Sequence, residues 1–307
     1  MIFYVKLIVI AITLISYRSS ANEVVKVFSD YGQNELDVFN NIIDNYIPII
    51  SRENPETRKS FIRKLKIWNP QIKDWTRIGS FTPINVYRQN PIYDISFGFE
   101  TFSSNEKINS TQQIESPQSG LSVEFTTTFT HALNHLSFLN IKLLQKKDFI
   151  IDESDGVLKF PIDYNIDYGY MYRPNRTRWG LWASVNFERV TLPSYDVDRF
   201  ENRFIILQNL KVNKNTIAWA TAGPTYRFTI FKKGAYFHLK LAKSAYAKRV
   251  LEDNSFEESL SAIKATLEFK YYIWKKTWLK SYFQHVQLKG TTKTIQNQLA
   301  LSLGTSF

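Results

Sequence analysis

The segment "QLALSLGTSF", Gln298–Phe307, changes character at every residue. One face carries Leu299, Leu301, Leu303, Thr305 and Phe307, and the other carries Gln298, Ala300, Ser302, Gly304 and Ser306. Such alternation over a whole segment is typical of a β-strand with one face in apolar surroundings. Terminal residues are commonly polar and poorly ordered, so an apolar strand that finishes on Phe307 predicts a structural role for that residue.

The same alternation recurs from Pro91 onward. In "LKFPIDYNIDYGY", Leu158–Tyr170, every second residue is aliphatic or aromatic, and the residues between are polar, proline or glycine. The segment "AIKATLEFKYYI", Ala262–Ile273, follows a similar pattern. Turn signals such as Pro174–Thr177 and Lys232–Gly234 separate about eleven segments of roughly 10–16 residues.

The length of these segments favours strands that cross a membrane. Strands of soluble proteins are most often about 5–6 residues long, whereas a tilted strand needs about 9–11 residues to cross a bilayer. The chain contains 23 Phe, 17 Tyr and 7 Trp, and several of them flank basic turns, as in "YYIWKKTW", Tyr271–Trp278, and "YMYRPNRTRW", Tyr170–Trp179. Amphipathic aromatic residues beside cationic turns are typical of the interfacial girdles of a membrane barrel.

The final strand resembles the C-terminal signature of outer-membrane β-barrel proteins, in which an alternating strand ends on an aromatic residue. The resemblance implies a closing strand that the barrel-assembly machinery reads at Leu299, Leu301, Leu303, Thr305 and Phe307. With the alternation in the rest of the chain, Leu299, Leu301, Leu303 and Phe307 are expected to face outer-membrane lipid. The predicted fold is therefore mainly β, with an antiparallel transmembrane β-barrel of 10–12 strands over residues 91–307.

The strand number is open at this stage, because bacterial barrels have an even number of strands. If Arg203–Asn213 belongs to a long loop, the number is ten. If one of the eleven segments contains two strands, the number is twelve. Short turns such as Lys275–Lys276 are expected in the periplasm. Longer stretches such as Ser103–Ser119 and Glu252–Ser259 are expected to be extracellular loops.

Residues 1–21 have the layout of a secretory signal peptide. Lys6 precedes the apolar run Leu7–Ile15, and the small residues Ser19–Ala21 offer a cleavage point. The alternative is an uncleaved N-terminal anchor. Together with the barrel pattern, the leader predicts location in the outer membrane of a Gram-negative cell envelope.

Residues 22–90 differ from the rest of the chain and predict a small periplasmic βααβ module. Helical spacing is present in "ELDVFNNIIDNYIPII", Glu35–Ile50, and in "TRKSFIRKLKIW", Thr57–Trp68. Ile84–Tyr87 is predicted to be the closing strand.

The stretch "KIWNPQIKDWTRIGSFTPINV", Lys66–Val86, resembles the second half of a LysM module. That resemblance implies binding of N-acetylglucosamine-containing glycans, here peptidoglycan, between two loops. The positions that it assigns to the glycan site are Ser29, Asp30, Tyr31, Gly32, Asn69, Pro70, Gln71 and Ile72. The first half departs from the family pattern, since only Gly32 and Leu36 echo the usual Gly-Asp-Thr-Leu. The alternative is that Asn69–Pro70 simply ends a helix.

No pattern of catalytic residues, metal ligands or cofactor-binding residues is present. The net charge is +11, but the basic residues are scattered, so no nucleic-acid partner is expected. Asp163 and Asp167 would be about 13 Å apart on one strand, too far for a carboxylate dyad. The inward-facing charges Glu124, Lys264, Glu268 and Lys270 are instead expected to form a hydrated, salt-bridged interior. His131 with His135, and His285 with Ser281, lack a third ligand or a nucleophile motif.

The sequence therefore predicts a structural outer-membrane barrel that tethers the membrane to peptidoglycan, with passage of small solutes through the barrel left open. One alternative is an outer-membrane surface enzyme of the lipase or protease type. The other is a soluble exported β-sandwich that binds an acidic polymer.

Overall fold

The computed structural model describes residues 22–28, 39, 55–76, 78, 82–89, 92–107, 113–132, 135–151, 156–172, 178–195, 210–231, 233–251, 257–274 and 276–306. The chain divides into two compact units, Met1–Ile92 and Tyr93–Phe307. The predicted signal peptide, residues 1–21, lies outside the described residues.

The N-terminal unit contains a two-stranded sheet and a helix. Strand β1 (Asn22–Phe28) pairs antiparallel with β2 (Pro83–Gln89), and helix α1 (Pro55–Trp68) precedes β2. Proline suits the first helical position because its missing N–H would have had no intrahelical partner there. The apolar core consists of Phe39, Leu65, Trp75 and Ile84. Phe39 is helical, but the rest of the first predicted helix lies outside the described residues.

In the described part of the chain, no helix is both long enough and apolar enough to cross a membrane.

The second unit is a closed antiparallel barrel, in which the described residues form ten long strands. They are β3 (Ile92–Lys107), β4 (Gln113–Ala132), β5 (His135–Lys146), β8 (Asp163–Tyr172), β9 (Trp179–Tyr195), β10 (Leu210–Ile230), β11 (Lys233–Leu251), β13 (Ser261–Tyr272), β14 (Thr277–Lys289) and β15 (Lys293–Ser306). The short strands are β6 (Phe149–Ile151), β7 (Gly156–Leu158) and β12 (Glu257–Ser259). Sequential neighbours pair around the barrel, β15 pairs with β3, and the β10–β11 pairing completes the closure.

This closure resolves the strand number as ten, the lower of the two predicted values. Strand β10 begins at Leu210, and residues 203–209 of the doubtful segment lie outside the described residues. A continuous ring of backbone hydrogen bonds also rules out a sandwich of two separate sheets for this unit.

Three predicted boundaries were wrong. Ser103–Ser119 is mostly strand, because β3 continues to Lys107 and β4 begins at Gln113. Glu257–Ser259 pairs with β11 rather than forming a loop. Leu158 belongs to the β6–β7 hairpin, and the barrel strand begins only at Asp163. At the first two boundaries, residues on both faces of the strand are mostly polar, so the sequence carries little alternation there. At the third, the alternation of Leu158–Ile162 continues outside the barrel strand.

The predicted facing of the last strand is confirmed. Leu299 and Leu301 are 59% and 54% exposed, whereas Ala300 and Ser302 are 3% and 4% exposed. On β13 every outward residue from Ile263 to Tyr271 is apolar or aromatic. This nine-residue span matches the about 9–11 residues of a membrane-crossing strand.

Candidate functional site

Ion pairs between different strands fill much of the barrel interior. Inward side chains recur at every second residue of a strand, which brings opposite charges from several strands together. The pairs are Lys142–Glu100 (2.7 Å), Lys146–Asp163 (2.8 Å), Lys240–Glu268 (2.9 Å), Lys264–Glu188 (2.7 Å), Lys270–Asp94 (2.9 Å) and Lys280–Glu124. The predicted salt-bridged interior is therefore confirmed, including its four named charges.

Glu100 is at the centre of one of these networks. Its side chain is fully buried on β3 and accepts hydrogen bonds from Lys142 of β5, Tyr282 of β14 and Gln298 of β15. The Gln298 side-chain amide also donates to the Tyr282 hydroxyl at 2.7 Å. Hydrogen bonds to an ionised group are among the strong ones, so this carboxylate ties four strands together.

Aromatic rings complete the surroundings of three interior lysines. The ammonium groups of Lys240, Lys264 and Lys270 lie 4.2, 4.4 and 4.0 Å from the ring centres of Trp182, Trp219 and Trp278. Each ammonium thus has a carboxylate partner and an aromatic face, and the ring face attracts the cation. These large rings also occupy space that water would otherwise fill.

An apolar cluster lies beyond most of these ion pairs, toward the barrel end that is remote from the start of β3. Its members are Val190, Leu192, Ile217, Trp219, Ala242, Ala247, Leu260, Ala262, Val286 and Leu288. A cavity of about 50 Å³ adjoins it and is lined by residues that include Lys142, Asn165 and Gln298. A polar cavity of this size has room for a very small number of water molecules.

Arg249 lies beyond the apolar cluster, near the end of β11. It is 2% exposed, and its guanidinium pairs with Glu258 at 3.0 Å and Glu106 at 3.4 Å. Thr292 and Thr294 accept further hydrogen bonds from it. This cluster joins β3, β11, β12 and the segment leading into β15. Sequence reasoning missed it, because the two carboxylates that pair with Arg249 are 9 and 143 residues away from it along the chain.

Gly304 shows why the inward face of the last strand is made of small residues. The Trp278 ring lies directly over Gly304, and a Cβ atom at this position would overlap it. The inward glycine on β15 therefore follows from close packing.

The other predicted candidates are not brought together. Asp163 binds Lys146 and Thr191, away from Asp167. His285 faces outward and hydrogen-bonds Asn297 at 2.8 Å, while His135 contacts Tyr170. Among the described residues, no group of three potential ligands could hold a metal ion.

In the N-terminal unit, Asn69 connects the end of α1 to β2. Its side chain is fully buried, donates to the Leu65 and Asn85 carbonyls at 2.9 and 2.8 Å, and accepts from the Asn85 amide at 2.6 Å. Pro70 and Gln71 are exposed, and Ile72 is half-buried. The remaining predicted glycan positions, Ser29, Asp30, Tyr31 and Gly32, lie outside the described residues, as does Phe307 of the assembly signal.

Outward-facing apolar residues surround this polar interior on every long strand. They include Phe97, Leu121, Ile141, Tyr168, Val185, Leu241, Leu267, Phe283 and Leu301. A closed barrel with an apolar exterior and a charged interior reverses the pattern of a soluble protein and suits a bilayer. The second unit therefore has the architecture of a transmembrane β-barrel of the outer-membrane type.

No family model and no curated protein matches this sequence. Among solved structures, the barrel resembles the outer membrane protease OmpT from Escherichia coli, with 9% identity, a TM-score of 0.42, and coverage of 71% of this chain and 97% of that chain. It also resembles the attachment invasion locus protein Ail of Yersinia pestis, with 12% identity, a TM-score of 0.35, and coverage of 71% and 100%. Neisserial surface protein A gives 8% identity, a TM-score of 0.31, and coverage of 70% and 97%.

Proposed function

We propose that this protein is a non-enzymatic outer-membrane anchor whose N-terminal unit binds peptidoglycan in the periplasm. The filled interior of the barrel is the main support for an anchor. Barrels that conduct solutes leave an aqueous channel, whereas here ion pairs, indole rings and an apolar cluster occupy the interior. The proposed anchor therefore has no channel for small solutes.

Orientation in the membrane follows from the loops. The end of the barrel where β3 begins and β15 ends carries short connections, such as that between β10 and β11, in which two residues separate the strands. The other end carries the longer connections, including that between β9 and β10. Outer-membrane barrels have short periplasmic turns and longer extracellular loops. The end where β3 begins and β15 ends is therefore proposed to face the periplasm.

The last strand is proposed to act as the assembly signal. Leu299, Leu301, Leu303 and Thr305 form its continuous outward face. Strand β15 is the last strand in chain order and closes the barrel by pairing with β3. This position suits recognition by the barrel-assembly machinery. Phe307 completes the proposed signal.

For the N-terminal unit, the LysM-like proposal assigns glycan contacts to exposed groups beside Asn69. The buried Asn69 amide is already used in holding α1 against β2, so its role in the proposed site is to shape the loop. Gln71 donates to the Asn69 side-chain oxygen at 3.1 Å and is otherwise exposed. The proposed contacts are thus Pro70, Gln71 and Ile72, together with Ser29, Asp30, Tyr31 and Gly32.

Sedimentation of the detergent-solubilised full chain with purified peptidoglycan tests this proposal. We expect the wild-type chain to co-sediment and a chain lacking residues 22–90 to remain in solution. Gln71→Ala should weaken binding about 2–10-fold, the range expected for one hydrogen bond. Thr76→Ala is the matched control, because Thr76 is exposed in the same unit and bonds only to Asp74 in the described structure. Equal sedimentation with and without residues 22–90 would exclude the tether.

A further inference from the structure

Three lysines occupy one transverse row on the outside of the barrel. Lys107 of β3 is directly opposite Lys293 of β15, and Lys293 is directly opposite Lys289 of β14. All three are exposed, while the alternate residues Glu106, Thr294 and Leu288 are buried inside. Like charges directly opposite each other destabilise a sheet, so this row has an electrostatic cost that a bound anion would relieve.

In the described structure, the three lysines lack the carboxylate partners that the interior lysines have. Within the described residues, no ion pair joins any of the three to a carboxylate. Lys248, which also lies on the outside near the same end, pairs with Glu257 at 2.6 Å. The row is therefore a concentration of positive charge that the described fold does not neutralise.

On these strands, outward residues such as Phe99, Phe283, Leu299 and Leu301 form what we call the apolar belt. The surface between this belt and the lysines is rich in hydrogen-bonding groups. The row nearest the belt contains Ser103, Asn297 and His285, and the next contains Asn105, Ile295 and Gln287. Lys293 is six residues beyond Leu299, or about 20 Å along the strand. At a strand tilt of about 40°, this is about 15 Å along the membrane normal.

We propose that this lysine-capped face, the outer surface of β14, β15 and β3 beyond Leu299, binds the phosphorylated sugar headgroup of a glycolipid in the outer leaflet. Lysine ammonium groups suit phosphate, and the amide side chains suit sugar hydroxyls. A phospholipid headgroup offers phosphate to the lysines but few partners to the amide side chains, whereas a phosphorylated oligosaccharide offers partners to both. The inference rests on the outer-membrane orientation proposed above.

The test is a titration of the full chain, folded in neutral detergent, with fluorescently labelled lipopolysaccharide that retains its core sugars. The variant is Lys107→Gln/Lys289→Gln/Lys293→Gln. Each lysine near an anionic surface contributes about 5-fold in affinity, so the triple variant should bind about 100-fold more weakly. The control Lys147→Gln/Lys159→Gln/Lys243→Gln removes the same charge from exposed but dispersed positions and should lose less than about 5-fold.

Two further probes identify the ligand. Lipid A without core sugars should bind the wild type more weakly and should discriminate less between the two triple variants. Dextran sulfate, a soluble polyanion, should not compete effectively. Equal affinities of the wild type and the Lys107/Lys289/Lys293 variant, equal losses in both variants, or effective competition by dextran sulfate would overturn the inference. Heat-modifiable migration on a gel reports barrel folding separately: a folded barrel without glycolipid binding contradicts this inference alone, whereas a chain that never inserts contradicts both proposals.

Discussion

Glu100→Ala is expected to destabilise the folded barrel by about 3–5 kcal/mol, the usual cost of removing one partner from a buried ion pair. The substitution leaves Lys142 without its carboxylate, and Tyr282 and Gln298 lose an acceptor. Equilibrium urea unfolding in lipid vesicles, followed by tryptophan fluorescence, measures the loss. The seven tryptophans of the chain supply the signal.

Two comparisons separate this network from a general effect of mutation. The double variant Glu100→Leu/Lys142→Met removes both charges and should recover much of the lost stability, because the pair is then replaced by apolar groups. Thr101→Ala, at the adjacent outward position, should change stability by less than about 0.5 kcal/mol. A cost for Glu100→Ala as small as that of Thr101→Ala would contradict the role given to the interior network.

Leu301→Arg is expected to destabilise the membrane-inserted barrel by about 2–4 kcal/mol, the cost of arginine on the lipid face near the bilayer midplane. Leu301 is opposite Phe99 of β3 and Ser281 of β14, within the apolar belt. The same vesicle unfolding measurement applies.

Asn297→Arg provides the matched control on the same strand and face. Asn297 is exposed, two residues beyond Leu299, where the cost of arginine falls to about 0–1 kcal/mol near the interface. Equal losses of unfolding free energy for Leu301→Arg and Asn297→Arg would show that the outer face of β15 does not pass from lipid to water between these two residues.

The facing of the strands could be predicted from the sequence because side-chain direction in a strand has a fixed period of two. Tyr164–Tyr170 on β8 and Leu299–Thr305 on β15 have lipid on one side and a polar interior on the other, so residue type records the environment. The strand ends beyond the belt do not have this contrast. Ser103–Lys107 is polar on both faces, and its extension of β3 was therefore missed.

The interior networks could be predicted in kind but not in detail. Inward lysines and carboxylates indicate salt bridges, yet Glu100 and Tyr282 are 182 residues apart. Which inward residues meet depends on the register between strands and on the closure of the ring, and a single sequence fixes neither. The cluster around Arg249 was missed for the same reason. In the N-terminal unit, "Asn-Pro" could mark a ligand loop or a helix end, and only the hydrogen bonds of Asn69 reveal its part in joining α1 to β2.

The central claim is that β15 crosses a bilayer with lipid on one face and a packed interior on the other. Because the chain has no cysteine, single cysteines from Gln298 to Thr305 can each carry a nitroxide label in vesicles. We predict that accessibility to oxygen, which concentrates in lipid, alternates with period two and peaks at Leu299, Leu301 and Leu303, while access to a water-soluble nickel complex stays low across these residues. Uniform accessibility along the segment, or high access of the nickel complex at Leu301, would contradict it.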